Sequence, residues 1–164
     1  MKVEQLMTHA PDTCAPDDSL AKAARIMWER DCGCVPVCAS TDDGRRRLVG
    51  MITDRDVCMA AYLQGRPLGD IRVASVMARD VASCGPGETI AVALGVMRTK
   101  QLHRLPIVDV HEDLVGMLSL ADVAREAARE RPQRSKHVRL DDVGETIAAI
   151  DQPRAPERSV IEAA

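Results

Sequence analysis

A shift of 70 positions lays the first half of the chain over the second, and no other feature constrains its fold as strongly. The shift carries Val3-x-x-x-Met7 onto Val73-x-x-x-Met77, Cys14-x-Pro16 onto Cys84-x-Pro86, and Met27 onto Met97. It also carries Val35-Pro36-Val37 onto Leu105-Pro106-Ile107. The offset then falls to 66, and Leu48-Val49-Gly50-Met51-Ile52-Thr53 matches Leu114-Val115-Gly116-Met117-Leu118-Ser119, with Asp56-Val57 on Asp122-Val123. The four-residue difference lies between the polar stretches 39–47 and 109–113, where a surface hairpin absorbs length at little cost. Ordered agreement across residues 3–57 means two copies of one supersecondary unit. Neither copy buries enough apolar surface alone, so the two are expected to pack face to face.

Each copy reads β-α-β-β-α. A short extended piece (Thr13 to Ala15; Val81 to Cys84) precedes a helix opened by Asp17-Asp18-Ser19 or Gly87-Glu88-Thr89, residue types that cap and charge a helix start. The apolar faces at three- and four-residue spacing are Leu20, Ala23, Ala24, Met27 and Ile90, Ala93, Leu94, Met97. Two strands follow, Val35–Cys38 with Leu48–Ile52 and Leu105–Val108 with Leu114–Leu118, each pair joined by a turn such as Asp42-Asp43-Gly44. Closing helices are expected over Thr53–Leu63 and Ser119–Glu130. The fold class is therefore mixed α-β, of the α+β type. One motif spans residues 1–70, a second spans 71–130, and a tail spans 131–164. In the tail, 131–136 reads as a polar linker. Leu140, Val143, Ile147 and Ile150 form one helical stripe expected to pack on the body or a partner, and Pro153 and Pro156 end regular structure. The last few residues read as mobile.

Composition excludes several functions. The 164-residue chain has no Phe, one Tyr (Tyr62) and one Trp (Trp28), which argues against aromatic platforms for single-stranded nucleic acid. Its formal net charge of −3 offers no general attraction to nucleic acid or anionic lipid. Apolar runs are too short for a membrane span, and residues 1–12 lack a signal-peptide core. The six cysteines therefore read as reduced thiols in the cytoplasm. No phosphate-loop, dinucleotide-fingerprint, zinc-protease or serine-hydrolase motif occurs, so catalysis is not expected.

The residues best placed to carry chemistry end the third strand of each copy. Thr53 and Ser119 sit at helix N-cap positions, three residues before Asp56 and Asp122. That spacing makes a variant capping box with the acid favoured by the helix dipole. The same hydroxyl and free N–H groups can hold phosphate, and a carboxylate one turn in can accept both hydroxyls of a ribose. The two readings are compatible.

With its hydrophobic-Pro-hydrophobic strands (Val35-Pro36-Val37; Leu105-Pro106-Ile107) and its Gly-x-hydrophobic-Thr/Ser-x-x-Asp endings, the repeat resembles a tandem pair of CBS motifs, a Bateman module, over about residues 1–130. The resemblance implies a pseudo-two-fold disc with two clefts between the copies, which in such proteins commonly bind adenosyl ligands, and dimerisation through the helices. It implies that Thr53, Asp56, Ser119 and Asp122 contact phosphate and ribose. Adenine is then expected against Thr13, Cys14, Val35 and Pro36, and against Ser83, Cys84, Leu105 and Pro106. Leu102-His103-Arg104 resembles the His-Arg that touches nucleotide phosphate in the gamma subunit of the AMP-activated kinase, and a guanidinium suits phosphate through paired charge-assisted hydrogen bonds. The first copy has Cys32-Gly33-Cys34 there, with Arg55 as a substitute cation near its helix terminus. Two unequal sites follow.

The resulting expectation is a non-catalytic, stand-alone regulatory module. It would bind AMP, ADP or ATP, with S-adenosylmethionine or NAD as alternatives and Mg²⁺ only with ATP, as a homodimer acting on a separate protein target. One rival is a thiol-based metal or redox sensor built on Cys32, Cys34 and Cys38, soft ligands for Zn(II) or Cu(I). Another is a ligand-free structural interaction module.

Overall fold

The computed structural model of the chain describes residues 1–41, 43–129 and 138–152. The first repeat folds as α1 (Leu20–Glu29), β2 (Cys34–Ser40), β3 (Arg46–Thr53) and α2 (Asp54–Gln64), after a two-residue strand β1 (Thr8–His9). The second folds as α3 (Ile90–Lys100), β4 (Arg104–Val108), β5 (Leu114–Ser119) and α4 (Leu120–Arg129), and α5 (Leu140–Ile150) follows. Ser19 and Thr89 cap α1 and α3 by accepting from the N–H groups of Lys22 and Val92. The expected first strand of each repeat shrinks to one parallel bridge, Cys14 with Val37 and Cys84 with Ile107. Each lies beside an antiparallel hairpin that carries a bulge one residue past the proline-bearing triplet.

The segments that lead into the repeats are exchanged between them. β1 pairs with β5 of the second repeat, and Ala78, its counterpart by the 70-residue shift, bridges Met51 on β3 of the first. Val3 and Met7 accordingly sit in the core of Leu94, Met97, Leu105, Ile107 and Leu118, while Val73 and Met77 sit in the core of Leu20, Val35, Val37 and Ile52. The glycine before each Thr/Ser-x-x-Asp exists for this crossing. A Cβ on Gly50 would lie 2.8 Å from Met77 Sδ and 2.9 Å from the Ala78 carbonyl; on Gly116 it would lie 2.5 Å from Met7 Sδ.

The hairpin of the first repeat also joins the copies. Arg45 Nη1 donates to Asp113 Oδ2 at 3.2 Å, and the Leu48 N–H donates to the Glu112 carbonyl. Asp113 is buried at 6% exposure, so this pair is largely shielded on the carboxylate side.

α5 packs on α3 and α4, and Val143 and Ile150 complete the second core. Its buried face differs from the expected stripe. Val143, Thr146 and Ile150 face inward while Leu140 and Ile147 stay 56% and 43% exposed. Thr146 can be buried because its hydroxyl donates to the Asp142 carbonyl at 2.6 Å, leaving little polarity unsatisfied. Among the described residues nothing equivalent covers α1 and α2, where Trp28 and Tyr62 are 88% and 79% exposed. The expected linker at 131–136, and Pro153 and Pro156 with the tail end, lie outside the described residues. Among the described residues no helix is long and apolar enough to cross a membrane.

Candidate functional site

Both strand-to-helix junctions form the same closed hydrogen-bond ring. The Thr53 hydroxyl accepts from the Asp56 N–H at 3.2 Å, and Asp56 Oδ2 accepts from the Thr53 N–H at 2.9 Å and its hydroxyl at 2.7 Å. Ser119 and Asp122 repeat the pattern at 3.1, 2.9 and 2.6 Å. In each ring one carboxylate oxygen is saturated and the hydroxyl proton is committed. The remaining acceptor capacity of the motif is the Oδ1 atom of each aspartate.

The exchange of lead-in segments sets what faces those oxygens. The first cleft, of about 580 Å³, combines Thr53, Arg55 and Asp56 of the first repeat with Asp80, Val81, His103, Arg104 and Pro106 of the second. The second cleft, of about 610 Å³, combines Ser119 and Asp122 with Pro11, Asp12, Arg30, Cys34 and Val35 of the first repeat. Both volumes suit a small organic ligand. Of the residues expected to face adenine, Val35 and Pro106 line these clefts. Thr13, Cys14, Pro36, Ser83, Cys84 and Leu105 do not, and of these Cys14, Cys84 and Leu105 are buried in the cores. Parallel pairing turns Cys14 and Cys84 inward, and the cleft walls come from the residues just upstream.

The clefts differ in charge. In the second, Arg125 Nη2 donates to Asp122 Oδ1, and Arg30 pairs with Asp12 at 2.5 Å. In the first, Asp56 Oδ1 has no hydrogen-bond or ion-pair partner among the described residues, and Arg55 makes no ion pair there either. Arg55, the cation expected near the first copy's helix terminus, lines this cleft beside Thr53 and Asp56, together with His103 and Arg104. Arg104 lines both clefts. It sits close to Cys34, its own counterpart by the 70-residue shift. Between them lies Gly33: a Cβ there would meet Asp54 Oδ2 at 3.1 Å and Arg104 Nη1 at 3.4 Å. Gly33 thus stands beside the Asp54 and Arg104 side chains at the position where the second repeat carries His103. Arg30 and Asp12 are not motif residues of the repeat and are brought together by the fold, whereas Arg125 reaches Asp122 by simple i,i+3 spacing on α4.

The expected cluster of three thiols is not formed. Cys32 and Cys34 lie near Asp54 and Arg104, whereas Cys38, further along β2, lies near Cys14, Arg46 and Asp113. Among the described residues no group of three or more His, Cys, Asp or Glu side chains is placed to hold a metal ion. Burial raises the Cys34 thiol, with Arg104 opposing, and pushes Cys14 and Cys38 up to about 11. Such thiols are poor thiolates near neutral pH.

These two clefts, each built by one repeat's capped aspartate and the other's lead-in segment, are the product of a duplicated unit. The chain belongs to the CBS-domain family: the family model matches residues 3–62 and 73–129. It is 35% identical over 122 residues to the CBS domain-containing protein YhcV of Bacillus subtilis, covering 74% of this chain and 82% of that protein. Hypoxic response protein 1 of Mycobacterium tuberculosis is 35% identical over 115 residues, covering 69% of this chain and 76% of that protein. A crystal structure of Hypoxic Response Protein I with two coordinated zinc ions superposes with a TM-score of 0.65 at 28% identity, over 76% of this chain and 98% of that one. The structure of CBSX2 in complex with AMP shares the fold (TM-score 0.65, 22% identity, 78% of this chain and 96% of that one).

Proposed function

We propose that this CBS pair is a regulatory module whose first cleft binds an adenosyl ligand carrying phosphate, with AMP as the best fit. The observation that carries the reading is that Asp56, whose Oδ1 has no partner among the described residues, lines the same cavity as Arg55, His103 and Arg104. A carboxylate oxygen with free lone pairs can take a ribose hydroxyl, and guanidinium groups favour phosphate through paired, charge-assisted hydrogen bonds. The second cleft has spent the same groups on its own ion pairs, which supports one ligand per chain. ADP, ATP (with Mg²⁺), S-adenosylmethionine and NAD are the competing ligands. The crystallised AMP complex of CBSX2 supports the ligand class. Zinc, held by the M. tuberculosis relative, finds no comparable donor group among the described residues of this chain.

Signalling to a protein target in the cytoplasm proceeds by a change of shape in which the ligand binds one arrangement more tightly than another. Self-association uses the α1–α2 face, since α5 already occupies the equivalent face of the second repeat. The test is a thermal-shift panel of AMP, ADP, ATP, S-adenosylmethionine and NAD, followed by calorimetric titration of the ligand that shifts. At about a hundred times its Kd a ligand adds ~2.7 kcal/mol, a rise of several degrees in a domain of this size. AMP is expected to give that rise with one equivalent bound. No shift from any adenosyl compound would overturn the proposal.

A further inference from the structure

α5 is not part of the repeat, yet its last turn belongs to the first cleft. Ile150 lines that cavity. Gln101, a left-handed residue that caps the end of α3, donates from Nε2 to the carbonyls of Ala149 (3.3 Å) and Gln152 (3.2 Å). His103 Nε2 lies 3.6 Å from Asp151 Oδ1. The carbonyl end of α5 and an aspartate are thus fastened to the two residues that flank Leu102 on the cleft wall. By the 70-residue shift the counterparts of Gln101 and His103 are Asp31 and Gly33, neither of which meets a covering helix among the described residues.

The electrostatics of this contact oppose those of the cleft. A helix C-terminus carries partial negative charge on its unpaired carbonyls, and Asp151 adds a full one. Both stand beside the His103–Arg104 pair that would receive phosphate. A phosphate reaching His103 must displace Asp151 and approach the carbonyl end of the helix against repulsion. An adenosyl ligand without phosphate meets neither obstacle.

We propose that the carboxyl-terminal end of α5 is a charge-sensitive wall of the first cleft: its docking through Asp151 and phosphate binding at His103 exclude one another, so a phosphate-bearing adenosyl ligand loosens α5 and a phosphate-free one leaves it docked. The inference rests on the proposed adenosyl site and deepens it by naming the element that reports occupancy. Coupling between two such events is reciprocal: whatever docking costs the ligand, the ligand costs docking. His103 and Asp151 are 56% and 63% exposed on their side chains, so the coupling is that of a surface contact, ionic when the imidazole is protonated. It corresponds to about two- to fivefold in affinity.

The experiment compares the full chain with its Asp151→Asn variant, titrated with AMP and with adenosine, while amide exchange is followed over residues 140–152. The substitution is expected to tighten AMP about two- to fivefold and leave adenosine unchanged. In the unsubstituted chain, AMP should speed exchange in α5 and adenosine should not. Equal gains for both ligands, or an unchanged AMP-to-adenosine ratio, would overturn the wall while leaving the adenosyl site intact. Failure of both compounds to bind the unsubstituted chain would remove the site and this inference together.

Discussion

The two clefts are products of one duplicated motif, and they have diverged by charge rather than by shape. Their cavities are nearly equal, about 580 and 610 Å³, and their capped aspartates have the same hydrogen-bond ring. What separates them is the fate of a single oxygen. Asp56 Oδ1 has no partner among the described residues, whereas Asp122 Oδ1 is held by Arg125 one turn along its own helix. A motif that stabilises a helix start can therefore be kept in both copies while only one retains spare acceptor capacity. Capping and binding are separable uses of the same carboxylate.

The sharpest way to break this comparison is to remove each carboxylate in turn. Asp56→Ala is expected to weaken AMP about ten- to a hundredfold, the range for losing a charge-assisted hydrogen bond, while Asp122→Ala changes it less than about twofold. Equal losses in calorimetry would show that both clefts bind. The next effect is on stability. Gly50→Ala and Gly116→Ala each force a methyl group into the exchanged lead-in segment, and each is expected to cost roughly 1–3 kcal/mol by chemical denaturation. Gly116 should be the more sensitive, because its Cβ would meet Met7 Sδ at 2.5 Å against 2.8 Å for Gly50 and Met77. The reverse order would place the tighter crossing at the other junction.

The smallest expected effect separates Cys14 from Cys84, which the 70-residue shift makes equivalent. Burial raises both. Cys84 goes higher, to about 12 against about 11, because its thiol donates to Glu88 Oε2 at 2.6 Å where Cys14 has only the nearby charge of Asp18. Thiols that ionise near 9 when unfolded stay protonated in the folded chain, so their stabilisation is complete below pH 9 and drains as pH rises through 11 to 12. Thiolate absorbance followed on raising the pH should show Cys84 ionising after Cys14. Glu88→Gln should bring the two together; an unchanged gap would assign it to burial alone.

Much of the fold was legible because local rules repeat. The polar starts of α1 and α3, the proline-bearing strands β2 and β4 and the Thr/Ser-x-x-Asp junctions each have a short-range cause, and duplication gave every inference a second instance. The candidate site was half legible. Thr53, Asp56, Ser119 and Asp122 follow from capping chemistry, but which cations face them does not. His103 and Arg104 lie in the second repeat and serve the first repeat's aspartate, since β1 and its counterpart cross over. Arg30 has no motif at all. The buried face of α5 was misread at Leu140 and Ile147 because apolar spacing marks a stripe, while the neighbouring α3 and α4 select which side of it is covered.

By itself, then, the chain's sequence determined the duplication, the element order and the two capped aspartates, because these depend on residues within a few positions of one another. Only the tertiary structure decided which repeat completes which cleft, that Arg104 reaches both and that α5 ends against His103. Those outcomes depend on contacts between segments far apart in the chain, where side-chain reach and excluded volume, as at Gly33, Gly50 and Gly116, choose the partner.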